Sequence, residues 1–227
     1  MKVIILAGGL GTRISEYTKE IPKPMIKIKG KPIIYYIMQH YSSHGFNDFI
    51  IAAGYKKNIL FEYFKKKNFP KWKIEIVDTG LKTMTGGRLK RLKKKIDNQR
   101  FMLTYGDGVS NVDLKKLLKF HKRKKKIATL TSVRPPARFG AIEIKGDRVN
   151  YFKEKSKLDE GWINGGFFVF EPEIFKFIKN DETFLEKGPM QSLSKKKQLL
   201  AFKHNGLWQC MDTLRDKKIL EKTIRKF

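Results

Sequence analysis

The sequence predicts an α/β fold: a mixed, mostly parallel sheet sandwiched by helices, with antiparallel additions in the second half. Short β-branched runs alternate with segments of helical spacing, which is the pattern of a parallel sheet with helices on both faces. The first of these runs ends in a glycine-rich turn. At 227 residues the chain fits one domain, 1–227, with a substantial core.

The first strand is predicted at Val3–Leu6, because four β-favouring residues bounded by glycine are too short a run for a helix. The other strand-like runs of the parallel part are Phe49–Ala52, Ile74–Val77, Phe101–Tyr105 and Ile127–Val133. Helical spacing is found at Ile33–Ser43, Asn58–Lys66, Asp113–Lys124 and Pro172–Lys179. Pro32 and Pro172 lie where a first helical turn tolerates proline.

The pattern changes after residue 135. The segment GAIEIKGDRVNYFKEK alternates around Lys145, Gly146 and Asp147, which predicts a β-hairpin. INGGFFVF follows as another buried strand. We therefore expect the second half to add antiparallel strands to the sheet.

A candidate anion site follows the first strand. Gly8, Gly9 and Gly11 permit backbone angles that other residues avoid, so exposed amides could face a phosphate. A tight turn without a ligand is the alternative, and the spacing matches neither GxxxxGK[ST] nor GxGxxG. Arg13, and Lys23 within IPKPM, supply two cations that favour the anion site.

Two aspartates are candidate metal ligands. Asp107 lies between glycines after the fourth strand, and Asp212 lies in the apolar, aromatic segment WQCMDT. Ligands of such sheets bind beyond the carboxyl ends of the strands. Asp107 alone could be an ordinary turn residue. Together with a phosphate-binding loop they favour magnesium, which uses one or two carboxylates plus substrate phosphates, and a metal-assisted phosphoryl-type reaction.

The net charge of +28, from 50 Lys and Arg against 22 Asp and Glu, invites a nucleic-acid interpretation. Only ten of the cations are Arg, and the lysines are spread along the whole chain. Phosphate and base recognition relies more on Arg forks, so a solvated lysine-rich surface without a specific nucleic-acid partner is the favoured interpretation. The single cysteine, Cys210, and the absence of a long apolar run predict a cytoplasmic protein that does not enter a membrane.

The segment LAGGLGTRISEYTKEIPKPMIKIKGKPII resembles the signature of the sugar 1-phosphate nucleotidylyltransferases. Further segments resemble the members that use CTP and α-D-glucose 1-phosphate: KTMTGGRLKR, LTYGDGVSNVD, RPPARFGAIEI, GWINGGFFVFEPE and WQCMDTLRDK. The resemblance runs from Met1 to about residue 221. It implies a Rossmann-like nucleotidyltransferase fold, Mg²⁺ as cofactor, self-association into a homo-oligomer, and the products CDP-glucose and pyrophosphate.

The resemblance also implies roles for individual residues. Residues 1–133 would form the nucleotide-binding half and 134–227 the sugar-phosphate-binding half. Arg13, Lys23 and Asp107 would be catalytic, and Asp107 and Asp212 would hold the metal. The nucleotide would be bound by Leu6, Ala7, Gly8, Gly9, Leu10, Gly11, Thr12, Arg13, Lys23, Thr83, Arg88 and Gly106. The sugar phosphate would be bound by Gly140, Glu154, Lys155 and Asn164.

Two departures and two alternatives accompany this assignment. The chain is shorter than the family pattern between Tyr63 and Trp72, and Cys210 stands where the family pattern has proline. The resemblance places Thr83 and Arg88 in a loop after the third strand. Base choice depends only on this loop, so UTP or dTTP, or another sugar 1-phosphate, stays open. A nucleic-acid-binding protein is the remote alternative.

Overall fold

A computed structural model describes residues 1–135, 141–153 and 161–224. Its strands are β1 (Lys2–Ala7), β2 (Lys27–Ile28), β3 (Lys31–Pro32), β4 (Asp48–Ala53), β5 (Lys73–Asp78), β6 (Phe101–Tyr105), β7 (Gly108–Ser110), β8 (Ala128–Val133), β9 (Ala141–Lys145), β10 (Arg148–Lys153), β11 (Ile163–Phe170), β12 (Leu199–His204) and β13 (Trp208–Cys210). Its α-helices are α1 (Ser15–Thr18), α2 (Ile33–Ser43), α3 (Lys57–Lys66), α4 (Thr85–Arg91), α5 (Lys93–Ile96), α6 (Leu114–Lys124), α7 (Pro189–Lys195) and α8 (Leu214–Thr223). Within these ranges no helix is long and apolar enough to cross a membrane.

Seven strands form the central sheet, in the order β12-β8-β11-β6-β1-β4-β5. All neighbours are parallel except β11, which runs antiparallel between β6 and β8. The prediction of a mostly parallel sheet with antiparallel additions is confirmed. The predicted hairpin is also confirmed, as the pair β9 and β10, but it forms a two-stranded sheet of its own rather than joining the central one.

Strand β1 lies at the centre of the sheet and explains the two-sided core. Val3 and Ile5 belong to one buried cluster, with α2, α3 and α6, whereas Ile4 and Leu6 belong to the other, with α4 and α7. Successive side chains of a strand point to opposite faces, so this short apolar run serves both cores at once. Helices accordingly cover both faces of the sheet.

Some elements differ from the sequence-based expectations. Pro172–Phe177 forms a 3-10 helix rather than an α-helix and ends before Lys179. The segment around Thr83 and Arg88 was expected to be a loop, but Arg88 lies on α4. Strand β12 and helices α7 and α8 were not predicted.

The order of the strands locates the candidate site. From β1 the chain proceeds to β4 and β5 on one side, then returns to place β6 on the other side of β1. Such a reversal leaves a crevice beyond the carboxyl ends of the two strands between which it occurs, here β1 and β6.

Candidate active site

A cleft of about 1170 Å³ opens beyond the carboxyl ends of β1 and β6. Fourteen of the predicted site residues line it: Leu6, Ala7, Gly8, Gly9, Gly11, Thr12, Arg13, Lys23, Thr83, Arg88, Gly106, Asp107, Asn164 and Asp212. Leu10 is exposed and is not among the lining residues. Gly140, Glu154 and Lys155 lie outside the described residues. The cleft therefore brings together residues that are up to about 200 positions apart in sequence.

The two candidate metal ligands are joined by a short antiparallel ribbon. Strand β13 pairs with β7 so that Cys210 lies opposite Gly108. The Met211 amide then donates to the Asp107 carbonyl at 2.9 Å. Asp107 precedes one strand of the ribbon and Asp212 follows the other, so both carboxylates lie at the same end of it.

Lys23 occupies the space between these carboxylates. Pro22 and Pro24 flank it at the start of a 3-10 turn, Lys23–Met25, that buries its stem. Its ammonium Nζ lies 2.6 Å from Asp107 Oδ2 and 2.6 Å from Asp212 Oδ1. Arg13 Nη1 donates to the other oxygen of Asp212 at 2.7 Å.

The ion pairs control the protonation of this cluster. Burial alone would lower the pKa of Lys23, but Asp107 and Asp212 outweigh it and raise that pKa above its ordinary value. Burial would raise the pKa of Asp212, whereas the Lys23 hydrogen bond and the charges of Lys23 and Arg13 bring it below its ordinary value. An ionised lysine and an ionised Asp212 follow at neutral pH.

This donor set fits a divalent cation that is shared with a substrate. Oxygens of both carboxylates point at one position, which Lys23 Nζ fills. Among the described residues no group of three or more His, Cys, Asp or Glu could enclose a metal. Two carboxylates without further protein ligands match Mg²⁺, which completes its octahedron with water and phosphate oxygens.

Arg88 donates hydrogen bonds at the ends of three neighbouring strands. It is 4% exposed. Its Nη2 donates to the Gly8 carbonyl after β1 at 2.8 Å, and its Nη1 donates to the Ala53 carbonyl at the end of β4 at 3.2 Å. Nη1 also donates after β5 to Thr79 Oγ1 and to the Gly80 carbonyl, at 2.8 and 2.7 Å. A guanidinium offers five donors in a rigid fork, so one side chain can hold all three turns.

Asp216 is a residue that the sequence analysis missed. It accepts hydrogen bonds from the Asp212 and Thr213 amides at 3.1 and 2.9 Å. Thr213 and Asp216 form a capping box that starts α8. The T-x-x-D spacing after Asp212 is a recognisable signal for such a box, and it fixes the backbone of the candidate metal ligand.

Residues 2–216 match the model of the family described as nucleotidyl transferase. The chain belongs to that family.

The similar curated proteins are more specific. The chain is 47% identical to a glucose-1-phosphate cytidylyltransferase of Salmonella typhimurium, over 97% of this chain and 95% of that protein. It is 37% identical to a probable glucose-1-phosphate cytidylyltransferase of Bacillus subtilis, over 95% and 93%. The Salmonella alignment spans 243 positions against 227 residues here, so the relative has residues without a counterpart in this chain. This agrees with the expectation of a chain shorter than the family pattern.

Solved structures share the fold. HddC from Yersinia pseudotuberculosis superposes with a TM-score of 0.76 at 25% identity, covering 98% of this chain and 99% of that one. A UDP-glucose pyrophosphorylase in complex with UDP-glucose superposes with a TM-score of 0.77 at 19% identity, covering 99% and 98%.

Proposed function

We propose that this protein transfers the cytidylyl group of CTP to α-D-glucose 1-phosphate, releasing pyrophosphate and CDP-glucose. The two relatives that carry this activity in their names, at 47% and 37% identity over nearly the whole chain, support the substrates. The observation that carries the chemistry is the convergence of Asp107 and Asp212 on one cation beside the glycine turn.

The reaction needs no base or covalent nucleophile from the protein. The second pKa of a sugar phosphate is about 6, so its attacking oxygen is already ionised at neutral pH. That oxygen forms a bond to the α-phosphorus while the bond from the α-phosphorus to the bridging oxygen breaks, and pyrophosphate leaves with the electron pair. Positioning and charge stabilisation supply the catalysis.

Asp107 and Asp212 would hold Mg²⁺. When bound, the metal screens the two phosphates that otherwise repel each other and stabilises the charge that develops during transfer. To hold the metal, the two carboxylates would give up their contacts with Lys23 and Arg13. Phosphate oxygens are suitable new partners for both cations.

Lys23 and Arg13 would then act on the nucleotide. We assign Lys23 to the α-phosphate and Arg13 to the β- and γ-phosphates that leave. Arg13 has a side chain that is 71% exposed, so it is free to swing from Asp212 towards the triphosphate. The amides of the turn from Gly8 to Thr12 would complete a site for the phosphates.

The second half of the chain would bind the sugar phosphate. Asn164 lies at the start of β11, in the same cleft as Asp107. Gly140, Glu154 and Lys155 remain predictions from the family resemblance, with Glu154 on sugar hydroxyls and Lys155 on the phosphate. Self-association into a homo-oligomer is likewise part of the proposal.

The test is direct. Purified protein with Mg²⁺, CTP and glucose 1-phosphate should release pyrophosphate and form CDP-glucose in equal amounts, measured by coupled assay and chromatography. Absence of turnover at saturating substrates would contradict the proposal.

A nucleotide panel separates the alternatives. UTP and dTTP test base choice, and GTP belongs in the panel because a heptose 1-phosphate guanylyltransferase of Campylobacter jejuni is 34% identical over 86% of this chain and 87% of that protein. We expect CTP to give the highest kcat/KM. A higher value for another nucleotide would keep the reaction class and change the substrate.

A further inference from the structure

A chain of hydrogen bonds connects Asn164 in the cleft with three residues that have no role in the proposed chemistry. Glu186 lies in the turn that precedes α7. Its Oε2 accepts from Thr85 Oγ1 at 2.7 Å and its Oε1 accepts from Tyr105 Oη at 2.6 Å. Tyr105 Oη in turn accepts from Asn164 Nδ2 at 3.3 Å. The chain thus connects the start of α4, the end of β6 and the start of β11.

The orientation of the Asn164 amide is determined at both ends. Its Oδ1 accepts from the Gly166 amide at 2.9 Å, and one hydrogen of its Nδ2 is donated to Tyr105. A primary amide has two donors and two acceptor lone pairs. One donor and one acceptor therefore remain, and Asn164 is exposed in the cleft.

This remaining pair suits a hydroxyl group. A sugar hydroxyl both donates and accepts, so it can satisfy one amide N–H and one carbonyl lone pair. A flipped amide would place its NH₂ group against the Gly166 N–H, donor against donor. The contact with Tyr105 makes that flip unfavourable.

Tyr105 is itself held in place on several sides. Its ring packs edge-on against Phe168 with centroids 5.6 Å apart. Gly166 has a φ of +78°, and a Cβ there would lie 2.6 Å from Tyr105 Cδ2. Only a glycine allows the strand to pass so close to the ring. The hydroxyl is then fixed by Glu186, which accepts its proton.

We propose that Tyr105 is a positioning residue for sugar recognition, which orients Asn164 towards a sugar hydroxyl, and that Glu186 anchors it. The inference rests on the proposed function. Because Glu186 also binds Thr85, two positions from Thr83, the same carboxylate connects the sugar side of the cleft with its nucleotide side.

The first test separates the two substrates kinetically. Tyr105→Phe keeps the ring and removes only the hydroxyl, so the KM for glucose 1-phosphate should rise about five- to tenfold, the equivalent of one hydrogen bond. The KM for CTP should change less than twofold. Tyr36→Phe is the matched control, because Tyr36 donates to the Ile28 carbonyl at 2.8 Å outside the cleft, and it should leave both KM values unchanged.

The second test examines the anchor. Glu186→Ala should raise the KM for the sugar phosphate as Tyr105→Phe does, and should also raise the KM for CTP because Thr85 is released. Glu186→Gln retains an acceptor for Tyr105 and should give a smaller sugar effect. A thermal unfolding scan of each variant shows whether the fold is retained, and Glu186→Gln carries the test if Glu186→Ala does not fold.

The third test identifies the hydroxyl. Glucose 1-phosphates lacking one hydroxyl each, at C2, C3, C4 or C6, are compared as substrates. One of them should lose kcat/KM with the wild-type protein, and that loss should shrink in Tyr105→Phe because the interaction is already weakened. If the losses are equal in both proteins, or if Tyr105→Phe leaves the sugar KM unchanged while turnover is normal, the inference is wrong. A wild-type protein that turns over no sugar 1-phosphate contradicts the proposed function instead.

Discussion

The position of Lys23 is the most informative single-residue observation. A lysine ammonium binds both carboxylates that would hold a metal, and its side chain is only 10% exposed. Two carboxylates that point at one position would repel each other without a cation between them. Lys23 therefore stabilises the two neighbouring carboxylates, and we expect it to compete with a metal ion for them.

Replacement of Lys23 tests this competition. Lys23→Met keeps most of the stem and removes the charge, so without metal it should lower the melting temperature by several degrees. Mg²⁺ should then raise the melting temperature more than in the wild type, because ligand binding stabilises by mass action. Differential scanning fluorimetry with and without Mg²⁺ measures both effects.

The control for Lys23→Met is a surface ion pair. Lys57 binds Asp78, and both side chains are more than 40% exposed. Lys57→Met should change neither the melting temperature nor its response to Mg²⁺ appreciably, because exposed pairs contribute about 0 to 1 kcal/mol. An equal Mg²⁺ response in all three proteins would show that Lys23 does not compete with the metal.

The carboxylates themselves give a second residue-scale prediction. Asp107→Asn and Asp212→Asn each weaken a metal contact without changing side-chain volume, so kcat should fall by at least about a hundredfold. The fold should persist, since neither side chain is part of the apolar core. Kinetics at saturating substrates and a circular dichroism spectrum measure these two outcomes, and near-normal turnover would show that the metal lies elsewhere.

Among the elements, α4 carries Arg88, whose guanidinium binds the ends of three neighbouring strands. Arg88 donates to carbonyl groups at the ends of β1, β4 and β5, so its loss would remove one donor from each of these three strand ends. The glycine turn after β1 is one of those three. The helix therefore determines the shape of the candidate phosphate site without being adjacent to it in sequence.

Arg88→Lys should test this arrangement. A single ammonium cannot replace the fork, so we expect a loss of about 2–4 kcal/mol in the free energy of unfolding and a higher KM for CTP. Arg91→Lys is the matched control on the same helix, because Arg91 makes a solvent-exposed pair with Asp181. Chemical denaturation measures the free energy of unfolding of both variants. Similar losses of this free energy in the two would contradict the proposed role of the Arg88 guanidinium.

The same helix shows why some elements escape sequence analysis. The segment with Thr83 and Arg88 was expected to be a loop, and its two adjacent glycines give no local signal for a helix. In the structure a Cβ on Gly87 would lie 2.4 Å from the Asp181 carbonyl oxygen, so the glycines allow a close contact with a segment about 95 residues away. Strand β12 was also missed. It pairs with β8 at the edge of the sheet and its residues are at most partly buried, so it lacks the continuous apolar run that marks a buried strand.

Only part of the candidate site could be predicted from the sequence. The glycine turn, Lys23 and the two aspartates carry motif signals, and the structure brings them together in one cleft. That Lys23 contacts both aspartates depends on the ribbon of β7 and β13, which has no local signal. Tyr105 and Glu186 also lack one, because a tyrosine and a glutamate at ordinary spacing reveal no contact across 81 residues.

For the whole molecule, three histidines confer a pH dependence on stability. Burial is the main cause that lowers the pKa values of His40, His121 and His204, to about 4 for His40. His40 packs against His44 and donates from Nε2 to the Val112 carbonyl, with His204 and Asp113 as the other titratable neighbours. The folded protein therefore keeps these imidazoles neutral where the unfolded chain would protonate them.

The sign of the effect follows from linkage. Below the ordinary histidine pKa of about 6.5 the unfolded state binds more protons, so stability should fall as the pH drops from 6.5 towards 4. Melting temperatures measured across this range should decrease steadily. His40→Gln retains a donor for Val112 without a titrating group and should flatten the decrease; a profile identical to wild type would contradict the role of His40.

The ribbon of β7 and β13 also bears on how the protein is made. Asp107 emerges from the ribosome before Asp212 and before the strand that aligns the two residues, Trp208–Cys210. A nascent chain thus carries the glycine turn but only half of the ion site. The ion site can therefore form only after the segment that carries Trp208–Cys210 and Asp212 has been synthesised.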